Sequence, residues 1–207
     1  MNVFVLCTGR CGSVTFAEAC KHITNYTSAH ESRAGVAGPG RVQFPAYHIE
    51  ADNRLSWFLG RLEKAYGDDA FYVHLTRDRM QTAKSYSKRF QAGLIMNAYA
   101  QGILLGAPAD ADPLDLCLDY VDTVTSNIDA FLKTKTRKMD FRLETAKDDF
   151  RVFWERIGAQ GDLAAALAEW DSSHNATVPV RRAPLIVRLG RKTKHLARKA
   201  SRFVKDE

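Results

Sequence analysis

The chain has 207 residues, of which 45% are hydrophobic and 26% are charged, as is usual in soluble globular domains. This length suits one domain with a full-sized core. No apolar stretch approaches the roughly 20 residues of a transmembrane helix. The amino terminus lacks the basic and apolar regions of a signal peptide, so we expect a cytoplasmic protein.

The net charge of +6 is concentrated near the carboxyl end. Residues 181–207 hold ten of the 30 Lys and Arg and two of the 24 Asp and Glu, so residues 1–180 hold 20 basic and 22 acidic residues. We predict an α/β body over 1–180 and a basic helical tail over 181–207. Residues 185–205 form a basic amphipathic pattern that suits a solvated helix, or contact with an anionic membrane, nucleic acid or another polyanion.

The amino-terminal segment predicts a strand, a glycine turn and a helix in direct succession. Residues 3–6 form an unbroken apolar run, typical of a buried strand in a parallel sheet. Gly9 and Gly12 permit a tight turn, and the pattern becomes helical from Ser13. Free N–H groups in the first helical turn and the helix dipole favour an anion there. Arg10 adds a positive charge suited to phosphate or sulfate.

This turn differs from the ATP-binding Walker A loop. The chain contains no Gly-Lys dipeptide, so the lysine that reaches the β- and γ-phosphates is missing. A strand-turn-helix junction without a ligand is the alternative. The four cysteines form no C-x-x-C pair, and no histidine cluster lies near them at zinc spacing. We therefore expect reduced thiols and no metal.

Strands and helices alternate along the rest of the chain. Further strands are predicted near residues 23–31, 47–50, 70–76 and 138–144. Helices are predicted over residues 52–66, 79–90 and 114–133, and as two short helices within 147–170. The alternation predicts an α/β fold with three layers, α/β/α, around a mainly parallel central sheet. His74, on the strand at 70–76, is expected to be a satisfied interior histidine.

Two loops follow strands of this predicted sheet and carry basic residues, namely residues 7–13 and 76–79. Ligands of parallel α/β sheets bind beyond the carboxyl ends of the strands. Both loops are therefore predicted to lie at the ligand-binding edge of the sheet.

Together, the two loops resemble the donor site of the sulfotransferase family. Residues 7–13, Cys-Thr-Gly-Arg-Cys-Gly-Ser, resemble its 5′-phosphosulfate loop. Arg77 and Ser85 have the spacing of its 3′-phosphate motif, an Arg at a strand end and a Ser eight residues later on the next helix. Segments 142–144 and 170–175 are also similar to the family. The resemblance covers about residues 3–175 and implies a P-loop-like sulfotransferase fold.

The donor that this resemblance implies is 3′-phosphoadenosine 5′-phosphosulfate, used without a metal. Its two anionic ends match the two anion sites. The sulfuryl group would pass by in-line displacement to a hydroxyl or amine of a carbohydrate, lipid or small-molecule acceptor. The implied donor-binding residues are Thr8, Gly9, Arg10, Cys11, Gly12, Ser13, Val14, Thr15, Arg77 and Ser85, with Arg181 or Arg182 as the candidate third ligand of the 3′-phosphate. Val14 stands where the family usually has a hydroxyl residue, and Arg10, where many members have lysine, would act electrostatically.

An acceptor hydroxyl loses its proton as the sulfuryl group arrives, which calls for a histidine or carboxylate base. The candidates are Glu31, His30, His48 and Glu50. Glu31 is preferred, because carbohydrate sulfotransferases, which the chain resembles, place a catalytic Glu at this point. The alternative role for Glu31 is an ion pair with Arg10 or Arg33 that orients the loop.

Two other functions are compatible with the sequence. One is a nucleotide or sugar kinase with a degenerate P-loop. The other is a non-catalytic nucleotide-binding module whose basic tail contacts nucleic acid or a membrane. The sequence leaves the acceptor and the oligomeric state open.

Overall fold

The protein is described by a computed structural model that covers residues 1–90, 93–108 and 110–172. These residues belong to one compact unit that ends at His174. The predicted basic tail, with Arg181 and Arg182, lies outside the described residues, as does the segment 173–175.

A parallel sheet forms the centre of the described fold. Its strands are β1 (Val3–Cys7), β2 (Thr27–His30), β3 (His48–Ala51), β4 (Phe71–Thr76) and β5 (Lys138–Arg142). They lie in the order β2-β3-β1-β4-β5, and every neighbouring pair is parallel. The helices are α1 (Ser13–Cys20), α2 (Leu59–Tyr66), α3 (Arg79–Ser87), α4 (Leu94–Asn97), α5 (Pro113–Leu132), α6 (Ala146–Ile157) and α7 (Leu163–Ala168). A π-helical segment, Ala98–Ile103, continues α4.

The central strand β1 is buried on both of its faces. Val3 and Val5 pack in a core layer with residues of α1, α6 and α7. Phe4 and Leu6 pack in the opposite layer, with residues of α2, α3 and α5. The period-two alternation of strand side chains produces this division. The predicted three-layer α/β fold is therefore confirmed.

Two elements differ from their predictions. The helix predicted over 52–66 is divided into a 3-10 turn, Asn53–Trp57, and α2, with Phe58 between them at φ −123°. The division arises because Asp52 caps the turn at Arg54, and the bonds that follow are of the tighter i to i+3 type. The second strand begins only at Thr27, since Ile23 forms an isolated antiparallel bridge with Gly161.

The strand order creates a crevice between the carboxyl ends of β1 and β4. The chain leaves β1 toward β2 on one side of the sheet and leaves β4 toward β5 on the other. In open α/β sheets such a topological switch point is where ligands bind. Both predicted anion-binding loops, 7–13 and 76–79, follow these two strands.

Candidate functional site

The loop between β1 and α1 has a left-handed backbone at three of its residues. Gly9, Arg10 and Gly12 all have positive φ, at 81°, 59° and 94°. Gly12 caps α1 without a side-chain hydrogen bond, and the first turn of α1 carries no acidic residue. The first N–H groups of the helix therefore have no side-chain acceptor at the cap, and a negative ligand is favoured there by the helix dipole.

Two buried tyrosines hold the start of this loop. The hydroxyls of Tyr86 on α3 and Tyr120 on α5 both donate to the carbonyl of Thr8, at 2.6 and 2.9 Å. A Cβ added at Gly9 would come closer than 3.0 Å to the Tyr86 hydroxyl. The sequence did not predict these contacts, because the two tyrosines lie 78 and 112 residues after Thr8 along the chain.

The two predicted anion sites adjoin each other in the structure. Arg10 donates from Nε to the hydroxyl of Ser85 at 3.1 Å, and Arg77 donates from Nη1 to the carbonyl of Arg10 at 3.3 Å. The two segments that resemble the 5′-phosphosulfate loop and the 3′-phosphate motif are thus linked by direct hydrogen bonds. Arg77 makes no ion pair with Asp78 or Glu144. Glu144 instead accepts from the Asp78 backbone N–H.

Arg10 lies close to the positive charges of Arg77 and Arg89. Burial lowers the pKa of Arg10 below its ordinary value, and the positive charges of Arg89 and Arg77 lower it further. Mutual repulsion among guanidinium groups is relieved when an anion binds between them. Arg89 lies in the turn beyond α3 and was not among the predicted site residues, although its spacing of four residues from Ser85 offered a signal.

The remaining loop residues divide into buried and accessible groups. Cys11, Ser13 and Thr15 are buried, whereas Val14 is partly exposed. The Cys7 thiol is fully buried and hydrogen-bonded to Cys11, and both effects raise its pKa. The Cys7 thiol is therefore protonated and packs in the core.

His30 and Glu31 lie at the carboxyl end of β2, beside the loop. His30 contacts the loop directly, with 3.0 Å between its Nε2 and the hydroxyl of Ser13. Glu31 has a left-handed backbone, with φ of 51°, and forms an ion pair with Arg54. The pairing with Arg10 or Arg33 that the sequence suggested is replaced by this pair with Arg54.

His48 and Glu50 take part in a buried hydrogen-bond network. His48 is 6% exposed, and its two ring nitrogens contact the Thr27 hydroxyl at 2.8 Å and Glu50 at 2.9 Å. Glu50 is fully buried and accepts from the N–H and hydroxyl of Ser32, at 2.7 and 2.6 Å. His48 is also the first residue of β3, at the strand end opposite to the loop.

A buried ion pair lies where β3 ends. Arg41 donates to Asp52 at 2.6 Å, and these side chains are 2% and 0% exposed. Burial raises the pKa of Asp52, and the charge of Arg41 opposes that shift. The pair fixes the loop around residue 41 against the carboxyl edge of the sheet.

His74 is only partly satisfied, in contrast to its prediction. Its Nδ1 lies 3.1 Å from Asp129, while its Nε2 is buried without a hydrogen-bond partner in the described structure. It lines a cavity of about 140 Å³ beside Arg77. Burial lowers the pKa of His74.

Two further properties concern the described residues as a whole. None of the helices within residues 1–90, 93–108 and 110–172 combines the length and apolar content of a bilayer span. His, Cys, Asp and Glu side chains in the same ranges form no group of three or more that could hold a metal ion.

Comparison with solved structures identifies the fold. The sulfotransferase domain from the curacin biosynthetic pathway matches with a TM-score of 0.59, over 86% of this chain and 80% of that domain, at 11% sequence identity. No protein-family model and no curated protein sequence matches the chain. The chain therefore has a sulfotransferase-like fold.

Proposed function

We propose that this protein is a sulfotransferase that moves the sulfuryl group from 3′-phosphoadenosine 5′-phosphosulfate to a hydroxyl or amine of a carbohydrate, lipid or small-molecule acceptor. The observation that carries the proposal is the contact between the two predicted anion sites. Arg10 donates a hydrogen bond to the Ser85 hydroxyl, and Arg77 donates one to the Arg10 carbonyl. One donor with two anionic ends suits this arrangement, and the sulfotransferase-like fold supports it.

In this reaction the acceptor oxygen or nitrogen forms a bond to sulfur as the bond between sulfur and the bridging phosphate oxygen breaks. Negative charge develops on that bridging oxygen. Arg10 and the N–H groups at the start of α1 would stabilise it, as preorganised donors do in related group transfers. Arg77 would hold the 3′-phosphate, and Ser85 would orient the Arg10 guanidinium.

The acceptor proton needs a base beside the loop, and we assign this role to His30. Its Nε2 lies within hydrogen-bond reach of Ser13, the first residue of α1. Glu31, which the sequence favours, is paired with Arg54, and we assign it the role of holding the strand end in place. Histidine is also the side chain that most often acts as a general base.

The test is calorimetry of the full chain with 3′-phosphoadenosine 5′-phosphate, the desulfated product, without metal. We expect a dissociation constant in the micromolar range, about −8 kcal/mol. Arg10→Ala and Arg77→Ala should each weaken binding about tenfold to a hundredfold, because each removes a charged hydrogen bond. Arg151→Ala, at an exposed position of α6, is the matched control and should bind like wild type.

Turnover tests the assignment of the base. Incubation with sulfur-labelled donor and panels of sugar, lipid and phenol acceptors identifies an acceptor. With it, His30→Ala should lose about 10²- to 10⁴-fold in kcat and keep its affinity for the desulfated product. Binding of ATP with Mg²⁺, and no binding of the desulfated product, would contradict the proposal and support the kinase alternative.

A further inference from the structure

The strand β5 forms one edge of the parallel sheet. Within the part of the chain that the structure describes, its single neighbouring strand is β4. The N–H of Tyr72 on β4 donates to the carbonyl of Arg137 at 2.9 Å. Because the direction of the backbone groups alternates along a strand, those of Met139 also point toward β4, and those of Lys138 and Asp140 point away from the sheet. Such edge groups are a template for pairing with another chain.

Carboxylates of the chain itself occupy both ends of this outer edge. The N–H of Arg142 donates to Asp149 Oδ2 at 2.7 Å, and the N–H of Thr136 donates to Asp68 Oδ1 at 2.8 Å. The residues between these two positions whose backbone groups point outward are at 138 and 140, and these groups make no hydrogen bond with the described residues. A pairing strand therefore has a short, defined stretch of β5 to bind.

The charges along this open stretch are complementary to themselves. In an antiparallel pair of two β5 strands centred on Met139, Lys138 of each copy lies opposite Asp140 of the other. Both residues then occupy hydrogen-bonded positions of the antiparallel ladder, which use their outward backbone groups, and opposite charges that face each other across strands stabilise the pair. Asp140 is exposed and makes no ion pair with the described residues. Lys138 donates from Nζ to the carbonyl of Leu132 at 2.5 Å, which holds its charge beside the edge.

The face of α6 beside β5 has the same reciprocal order of charges. Asp149, Val152 and Arg156 line a groove of about 530 Å³ together with Met139. A two-fold axis perpendicular to the sheet at Met139 keeps α6 of both copies on one face, in antiparallel directions. Val152, which is 48% exposed, would then meet its own counterpart. Asp149, three residues before it, would approach Arg156 of the other copy, four residues after it, as the reciprocity of an isologous interface requires.

We propose that β5 and α6 form a two-fold interface between two copies of this chain, in which the two sheets join edge to edge into one continuous sheet. A second copy fits better than an unrelated extended peptide, because the strand and the helix both carry charges in reciprocal order, and a peptide would match the strand alone. This inference is independent of the proposed activity, since the candidate site lies beyond the carboxyl ends of β1 and β4.

Sedimentation equilibrium of the full chain over a series of concentrations measures the dimer, and charge reversal tests the register. Lys138→Glu places two carboxylates opposite each other, and Asp140→Lys places two ammonium groups opposite each other. Each variant alone should raise the dissociation constant of the dimer about tenfold or more. A mixture of the two variants has opposite charges at both pairs and should form a heterodimer about as stable as the wild-type dimer. Lys64→Glu and Asp115→Lys, at exposed positions of α2 and α5, are the matched controls and should dimerise like wild type.

Cross-linking tests the position of the two-fold axis. Val152→Cys in the full chain, treated with a short bis-maleimide, should give a covalent dimer, because the two thiols would face each other. The four native cysteines are buried, and wild type treated in the same way sets the background. Leu94→Cys, at an exposed position of α4, should not exceed that background. A chain that stays monomeric at every soluble concentration would overturn the proposal. A dimer that both single charge reversals leave intact, or that does not cross-link at residue 152, would also overturn it and assign dimerisation to another surface.

Discussion

Substitution of Gly9 by alanine tests the construction of the candidate donor loop. Gly9 has φ of 81°, and a Cβ there would lie closer than 3.0 Å to the hydroxyl of Tyr86. Left-handed backbone at alanine costs about 1–2 kcal/mol. Displacing the Tyr86 hydroxyl from the Thr8 carbonyl leaves a buried donor unpaired, which costs about 1–3 kcal/mol. We therefore expect the free energy of unfolding of Gly9→Ala to fall by about 3 kcal/mol.

Urea unfolding measures this loss, and calorimetry should show a Tm lower by about 6–12 °C for a protein of this size. The matched control is Gly60→Ala on α2. A Cβ at Gly60 meets nothing within 4 Å, and alanine is the better helix former by about 0.5–1 kcal/mol. This control should be as stable as wild type or more stable.

A double variant separates the contact from the backbone strain. Tyr86→Phe removes the oxygen that the new Cβ would meet, while Tyr120 still donates to Thr8. Gly9→Ala with Tyr86→Phe should therefore lose less stability than the two single losses added together, by about 1–3 kcal/mol. Additive losses, or a Gly9→Ala protein as stable as the Gly60→Ala control, would refute the reasoning about this loop.

Two further predictions concern buried charges. Asp52→Asn should lower the free energy of unfolding by about 3–5 kcal/mol, because it leaves the charge of Arg41 buried and unpaired. The control Asp122→Asn breaks an ion pair that is about half exposed and should cost at most about 1 kcal/mol. Equal losses of the two variants in urea unfolding would contradict this difference. Burial lowers the pKa of His74, so the unfolded chain takes up a proton that the folded chain does not, and stability should fall as pH drops through about 6.5. His74→Gln should flatten that part of the stability profile by up to about 1.4 kcal/mol per pH unit, and an unchanged profile would exclude His74 as its source.

Much of the fold follows from local patterns in the sequence. The apolar run at 3–6 predicts the central strand, and the helical periodicity of 114–133 predicts α5 nearly to its ends. Both signals arise because the buried side chains lie on fixed faces of a strand or helix, so apolar residues recur at regular spacing along the sequence. The predicted parallel sheet with helices on both faces is confirmed for the same reason.

The residues of the candidate donor loop could also be predicted from the sequence, because the backbone there needs particular residue types. Gly9 and Gly12 take positive φ, which glycine adopts without steric cost. Arg77 and Ser85 were singled out because their spacing resembles the 3′-phosphate motif of the sulfotransferase family. Their assignment as donor ligands stays a prediction that calorimetry tests.

The sequence alone therefore determined which helices and strands form. It also determined the residue types at the glycine turn after β1 and at the end of β4. Tertiary structure decided the contacts between distant segments: Arg10 with Ser85, Tyr86 and Tyr120 with Thr8, Ser13 with His30, and Glu31 with Arg54. Such contacts depend on strand order and helix packing, which bring together residues up to 112 positions apart. These contacts leave no periodic pattern in the sequence. The reason is that each residue type suits its own helix, strand or loop, whereas its contact partner depends on how the sheet and helices pack together.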